Sequence, residues 1–134
     1  MPIHFTELPL QTHKRIEFVD ITQKIQNFID SKETNEGVCH VFVPHTTAAV
    51  TINENADPHV VRDIIYKLGE LVPEKSGYQH IEGNSDAHIK ASLLGAWEII
   101  TIKNRKLVLG RWQGIYFCEF DGPRHRKFYL TIYI

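Results

Sequence analysis

The sequence predicts a single α+β domain built from mixed or antiparallel sheets with two or three helices. Three observations lead there. Strand-like segments dominate the C-terminal half, whereas helical periodicity interrupts the N-terminal part. The elements do not alternate as strand, helix, strand, so a parallel βαβ sheet is not expected. A chain of 134 residues with no internal repeat, linker or low-complexity run fits one domain spanning residues 1–134.

Taken in order, residues 3–14 read as a strand interrupted by Pro9. Val19-Asp20-Ile21-Thr22-Gln23 reads as a helix start, with Asp20 as cap and Gln23 completing a capping box. Phe18, Ile21, Ile25, Phe28 and Ile29 then recur at helical spacing and predict one inward face. The polar stretch from Ser31 to Gly37 ends that helix, and residues 38–43 form an apolar strand stopped by Pro44. Asp57 followed by Pro58 places a capping residue before proline at the first helical position. Val60, Val61, Ile64, Ile65 and Leu68 continue that helix, with Gly69 at its exit. A shorter helix covers 84–95. Strands are expected at 97–103, 106–109, 112–120 and 127–134, with turns at Asn104-Arg105 and at Asp121-Gly122-Pro123-Arg124.

Composition narrows the class. Hydrophobic residues make up 43% and charged ones 23%, which excludes a disordered or fibrous chain. Fifteen basic and sixteen acidic residues leave a net charge of −1, so no overall positive field invites nucleic acid or an anionic membrane. No apolar run reaches the length of a membrane span, and the first residues lack the pattern of a signal peptide. A soluble cytoplasmic protein is the expectation. Cys39 and Cys118 lie in apolar runs and read as buried thiols in a reducing compartment.

Eight histidines, five of them between His40 and His88, give the first functional hint, because histidine titrates near neutrality and is the commonest metal ligand. Three segments concentrate polar chemistry. Pro44-His45-Thr46-Thr47 with Asn53-Glu54-Asn55-Ala56-Asp57 offers an imidazole, hydroxyls, carboxylates and amides, although Asp57 is explained by its place as a helix cap. Across Gly83, His80 and His88 can be folded together. With His45 they would form a three-histidine site that favours zinc or another late first-row divalent ion over magnesium. The alternative is two surface histidines flanking a turn. In the third segment, Gln113, Ile115, Phe117 and Glu119 share a strand face, and the carboxylate there either needs a partner, a metal or a proton or faces water on an edge strand. Arg124-His125-Arg126-Lys127 either grips phosphate or forms a solvated turn.

Together the motifs His45-Thr46-Thr47-Ala48, Ile52-Asn53-Glu54-Asn55, Asp86-Ala87-His88-Ile89-Lys90, Leu93-Leu94-Gly95 and Leu109-Gly110-Arg111-Trp112-Gln113-Gly114-Ile115, followed by Glu119, resemble the YjbQ family. The resemblance covers nearly the whole chain. It implies a homotrimer with polar residues at pockets near subunit boundaries, and a secondary thiamine-phosphate synthase activity. That reaction joins a pyrimidine diphosphate to a thiazole phosphate and releases pyrophosphate. It also implies the histidines His45, His80 and His88 and the acidic residues Glu54 and Glu119, with His40 and Arg124 fitting the pattern as well. Arg111 departs from the small residue expected there and puts substrate preference in question.

On this reading His45, Glu54 and Glu119 carry the catalysis. Arg124 and Lys90 neutralise phosphate, and Thr46, Asn53 and Gln113 bind the substrate, a small phosphorylated metabolite. Two other readings remain: metal-assisted hydrolysis of a phosphate ester or amide, and a non-catalytic module that binds a metabolite.

Overall fold

The computed structural model describes residues 3–134. Its elements are β1 (Ile3–Gln11), β2 (Glu17–Asp20), α1 (Thr22–Ser31), β3 (Gly37–Phe42), β4 (Ala48–Glu54), α2 (Pro58–Leu71), α3 (Ser85–Leu94), β5 (Trp97–Lys103), β6 (Lys106–Leu107), β7 (Gln113–Glu119) and β8 (His125–Tyr133). The strands form two antiparallel sheets, one ordered β1-β8-β3-β5-β6 and the other β2-β7-β4. The α+β fold class is as the sequence predicts.

The sheets pack face to face through period-two alternation. Arg126, Phe128, Leu130 and Ile132 of β8 and Val41 of β3 face Ile115 and Phe117 of β7 and Val50 of β4, all buried. Ile25 and Ile29 of α1 complete this core. The opposite face of the three-stranded sheet is buried too, with Ala49, Tyr116 and Cys118 packing with Ala87 and Ala91 of α3 and with Val61 and Leu68 of α2. This double burial is why β7 reads as an unbroken apolar run. Both cysteines are buried and free, and burial pushes the Cys39 thiol up to about 12.

Several local expectations need correction. The first strand ends at Gln11 rather than residue 14, and it tolerates Pro9 because β1 lies at the sheet edge. The supposed helix start at Val19 is instead β2, which pairs Phe18 with Cys118 and Val19 with Phe117. Tertiary pairing overrides the helical spacing there. The helix begins at Thr22, whose N–H still donates to Asp20 Oδ1 at 3.0 Å, while Gln23 reaches Asn27 and forms no capping box. Residues 48–54, to which the sequence assigned no element, form β4. At α2, Asp57 accepts from the His59 N–H at 2.9 Å as expected, but the helix runs past Gly69 to Leu71 and its apolar stripe is only half-buried. The strand expected at 106–109 shrinks to Lys106–Leu107, and β8 starts at His125 rather than 127. Asn104 and Arg105 take positive φ in the turn predicted for them.

One interaction ties the two sheets together. Glu119, at the end of β7, and Arg126, at the start of β8, are both buried and aimed at each other. Arg126 Nε donates to Glu119 Oε2 at 2.7 Å, and its Nη2 donates to Glu119 Oε1 and to Thr47 Oγ1. Thr12 Oγ1 donates to Glu119 Oε2 at 2.8 Å, and the Asp121 N–H donates to Oε1 at 2.9 Å. The connecting turn crosses so close that a Cβ on Gly122 would lie 2.9 Å from both Glu119 Cγ and Thr12 Oγ1, so only glycine fits. Burial alone would raise the Glu119 pKa, but the hydrogen bonds from Arg126, Asp121 and Thr12 outweigh it and hold the carboxyl below its ordinary 4.5. The pair therefore stabilises the fold above pH 4.5, and its contribution is lost as pH falls further, through the folded value. Arg126→Ala leaves Glu119 buried and unpaired and is expected to cost about 3–5 kcal/mol in urea unfolding at pH 7. The difference from the native protein should narrow as the pH is lowered below 4.5.

Candidate functional site

The turn between β3 and β4 places His45 and Thr46 at the rim of the Glu119–Arg126 bridge, while α3 brings His88 from the opposite side. His45, Thr46, Thr47, Glu82, Asn84, His88, Arg124 and Arg126 line one polar pocket of about 350 Å³. His45, Thr46 and His88 also line an adjoining pocket against Ala91 and Gly95. A volume of this order suits a small metabolite.

His45 Nε2 lies 3.1 Å from the Lys127 amide nitrogen and 3.0 Å from its carbonyl oxygen, so the β8 backbone holds the ring. Its ring also stands edge-on to Phe117. Burial lowers the His45 pKa and the nearby Arg126 charge lowers it further, which keeps the imidazole neutral at neutral pH. His88 is half-buried on α3, and the His80 ring meets it edge-to-face at 5.4 Å. His80 Nε2 lies 4.0 Å from Glu82 Oε1.

The expected zinc set is not assembled within this chain. Among the described residues, no three His, Cys, Asp or Glu side chains group closely enough to hold a metal ion. His45 and His88 share one pocket, and His88 shares a neighbouring one with His80, Tyr78 and Ser85, so no single pocket holds all three rings. The donor set present therefore does not fit a three-histidine ion as it stands, since His88 meets His80 on one side and His45 on the other without a common centre.

Other expected site residues separate. Glu119 is no free proton carrier, because its oxygens are engaged by Arg126, Thr12 and the Asp121 amide. Lys90 is buried, with its ammonium 3.3 Å from Asp86 Oδ2, and it lies outside the polar pocket. That salt bridge extends to Arg15, whose Nη2 is 3.1 Å from Asp86 Oδ1. Burial opposes ionisation of Asp86, and the Arg15 and Lys90 contacts outweigh it to lower its pKa. Asn53, Glu54 and Gln113 sit at the far end of the three-stranded sheet, where Glu54 pairs with Gln113 while Ala48 pairs with Glu119. The separation is about 20 Å at roughly 3.3 Å per strand residue. Asn53 and Glu54 turn back on their own segment there, accepting from the Glu54 and Asp57 N–H groups. His40 lies on the outer face of the large sheet between Phe42 and Trp97, away from the pocket. Arg111 stacks on Trp112 at 4.8 Å.

Arg124 does reach the pocket, with Nη2 at 2.9 Å from Asp121 Oδ2 and 4.0 Å from Glu82. Sequence reasoning took Arg126 only as part of a phosphate-gripping run or a solvated turn and missed its burial against Glu119, and it did not single out Asn84. The alternation Arg126, Phe128, Leu130, Ile132 was the available signal for Arg126, since it puts the guanidinium on a core face where Glu119 needs a partner.

Two antiparallel sheets in a sandwich, with helices over one outer face and a polar pocket at one end of the core, define a small α+β protein with a metabolite-sized site. The model of the UPF0047 protein YjbQ-like family matches residues 6–134, and the chain belongs to that family. It is 54% identical over 123 residues to UPF0047 protein MJ1081 of Methanocaldococcus jannaschii, covering 92% of this chain and 89% of that one. It is 46% identical over 126 residues to Bacillus subtilis YugU, covering 93% and 96%. The fold matches the crystal structure of a YjbQ/UPF0047 family protein from Clostridium acetobutylicum with a TM-score of 0.94 at 52% identity, covering 96% and 99%. It also matches a YbjQ-like protein from Sulfolobus solfataricus with a TM-score of 0.93 at 33% identity, covering 98% and 96%. Among the described residues, no helix is long and apolar enough to cross a membrane.

The half-buried His45, near the Arg126 charge, is expected to titrate below the ordinary imidazole value of 6.5. Proton-carbon NMR of the ring checks this. Arg126→Met should move the midpoint up by removing the adjacent positive charge.

Proposed function

We propose that this protein is a small-molecule enzyme that acts on a phosphorylated metabolite in the pocket shared by His45, Thr46, His88 and Arg124. The observation that carries the reading is the convergence of a neutral imidazole, hydroxyls and guanidinium groups on one pocket of about 350 Å³. Arg124 and the Thr46 hydroxyl supply donors suited to phosphate oxygens, and Arg126 stands behind them. Within this reading the reaction we propose is of the thiamine-phosphate synthase type. There the thiazole nitrogen forms a bond to the pyrimidine methylene carbon as the carbon–oxygen bond to pyrophosphate breaks. The chain's part is to hold both phosphates and to donate hydrogen bonds to the departing pyrophosphate.

A zinc ion on His45, His80 and His88 belongs to the same proposal only if the three rings come together, so no step is assigned to it. Hydrolysis of a phosphate ester or amide is the second reading, in which the neutral His45 imidazole beside the pocket would take a proton from water. Purified protein supplied with pyrimidine diphosphate and thiazole phosphate should form product, and His45→Ala and His88→Ala should each reduce the rate at least about 10²-fold. Release of phosphate or amine from simple esters and amides instead would favour the hydrolase. Binding without turnover would leave a metabolite-binding module.

We also propose the homotrimer, with the outer face of the large sheet as the surface it covers. Phe5, Tyr129, Phe42, His40 and Trp97 form a run of neighbouring rings there with centroids 5.4–6.3 Å apart, and Trp97 is 55% exposed. An aromatic face of this kind is an interaction surface on a soluble chain. Light scattering should give three times the chain mass, and Trp97→Glu should shift it towards one. A native mass equal to a single chain would remove the trimer.

A further inference from the structure

Helix α2 covers the three-stranded sheet incompletely. Its apolar stripe is only half-buried, and none of its residues is fully buried. Val61 and Leu68 pack on the cluster of Tyr116, Cys118 and Phe120, whereas Ile65 packs against neither buried cluster. Ile65 instead lines a cavity of about 350 Å³ bounded by α2, β2 and β7. This cavity shares no lining residue with the polar pocket of His45.

Phe18 of β2 and Tyr116 of β7 give it aromatic walls, with ring centroids 6.1 Å apart. The Tyr116 hydroxyl is committed to the Glu54 carbonyl, to which it donates at 3.1 Å. The α2 wall is Pro58, Val61, Arg62 and Ile65, the i, i+3, i+4, i+7 spacing of one helix face. Arg62 thus occupies a position in that stripe where packing against a sheet calls for an apolar residue. Lys14 reaches the same cavity from the segment between β1 and β2. Both cations are exposed. The ion pairs of this region are those of Arg15 with Asp86 and Glu74, and among the described residues neither Lys14 nor Arg62 joins one. The remaining polar groups are engaged: Glu17 Oε1 accepts from the His13 N–H at 2.8 Å, and Asn55 Nδ2 donates to Asp20 Oδ2 at 3.2 Å. Two free cations against one carboxylate leave the lining with a single net positive charge beside aromatic and aliphatic walls. That balance matches a singly charged ring compound better than a doubly charged phosphate.

We propose that this cavity is a second binding site, for a small aromatic carboxylate whose ring lies against Phe18, Tyr116 and Ile65 and whose charge is held between Arg62 and Lys14. Arg62 offers a carboxylate two parallel N–H donors, and Lys14 adds a point charge. The volume lies at the small end of ligand cavities, which suits a compound of one or two rings. The site does not depend on the phosphate reading of the other pocket.

Phenylacetate, phenylacetamide and phenyl phosphate are the probes, the amide keeping the shape and removing the charge. Binding is read by calorimetry and by backbone NMR shifts at Phe18, Val61, Ile65 and Tyr116. Phenylacetate should shift these residues and bind at least about 10-fold more tightly than the amide, as hydrogen bonds to a charged group predict. Arg62→Met and Lys14→Met alter exposed positions, so each variant should melt as the native protein does. Each should weaken phenylacetate at least about 5-fold and leave the amide unchanged. Equal affinity for acid and amide, or an acid preference that survives in both variants, would overturn the role of the two cations. Tighter binding of phenyl phosphate than of phenylacetate at these residues would overturn the match to a single charge. Shifts confined to the His45 pocket, or no binding of any probe, would overturn the site.

Discussion

The buried contact between Glu119 and Arg126 is the constraint around which the rest of this protein is arranged. It joins the last residue of β7 to a core-facing residue of β8, and so fixes the distance between the two sheets at one end of the sandwich. Taking both charges out of water offsets much of their attraction, so what the pair contributes above all is a defined geometry. That geometry propagates outward. Thr12 ties β1 to the same carboxylate and accepts from the Arg124 N–H at 2.9 Å, Thr47 ties in the turn after β3, and Gly122 lets the connecting backbone pass. His45 and Arg124, which both line the polar pocket, are held by elements that this network positions.

A second buried charge network does the same work beneath α3. Asp86 is fully buried at its first turn, where a negative charge is favoured by the helix N-terminus, and it is matched by Arg15 and by Lys90 one turn later. These contacts seat α3 against the three-stranded sheet and set where His88 and Asn84 meet the pocket. Residues that look reactive in isolation, Glu119 and Lys90 among them, thus serve as the frame of the site, while the exposed rim groups are available to a ligand.

Much of the fold was legible in the sequence because its signals are local. Asp57-Pro58 begins α2, Asn104-Arg105 turns β5 into β6, and the apolar runs at 112–120 and 127–134 mark β7 and β8. The errors fall where a local pattern had two solutions. Phe18 to Asp20 fits a helical stripe as well as a strand, and only pairing with Tyr116, Phe117 and Cys118 selects the strand. The candidate site was legible as a list of residues, but not as a place. His45 and Glu54 are close in the chain, yet β4 carries them to opposite ends of one sheet, whereas His45 and Arg126 are 81 positions apart and share a pocket.

By itself the sequence determined the class of fold, the main helices and strands, the two buried thiols and the identity of the polar groups from which a site could be built. Spacing and capping are read within a few residues, where backbone geometry leaves few choices. Only the tertiary structure decided which charges are neutralised inside the protein and which remain for a ligand. It paired Glu119 with Arg126 and Lys90 with Asp86, left Asn84 Oδ1 without a donor, and kept His80 out of the pocket of His45. A charge's role depends on its burial and on partners brought from distant positions, and neither quantity is written in local sequence.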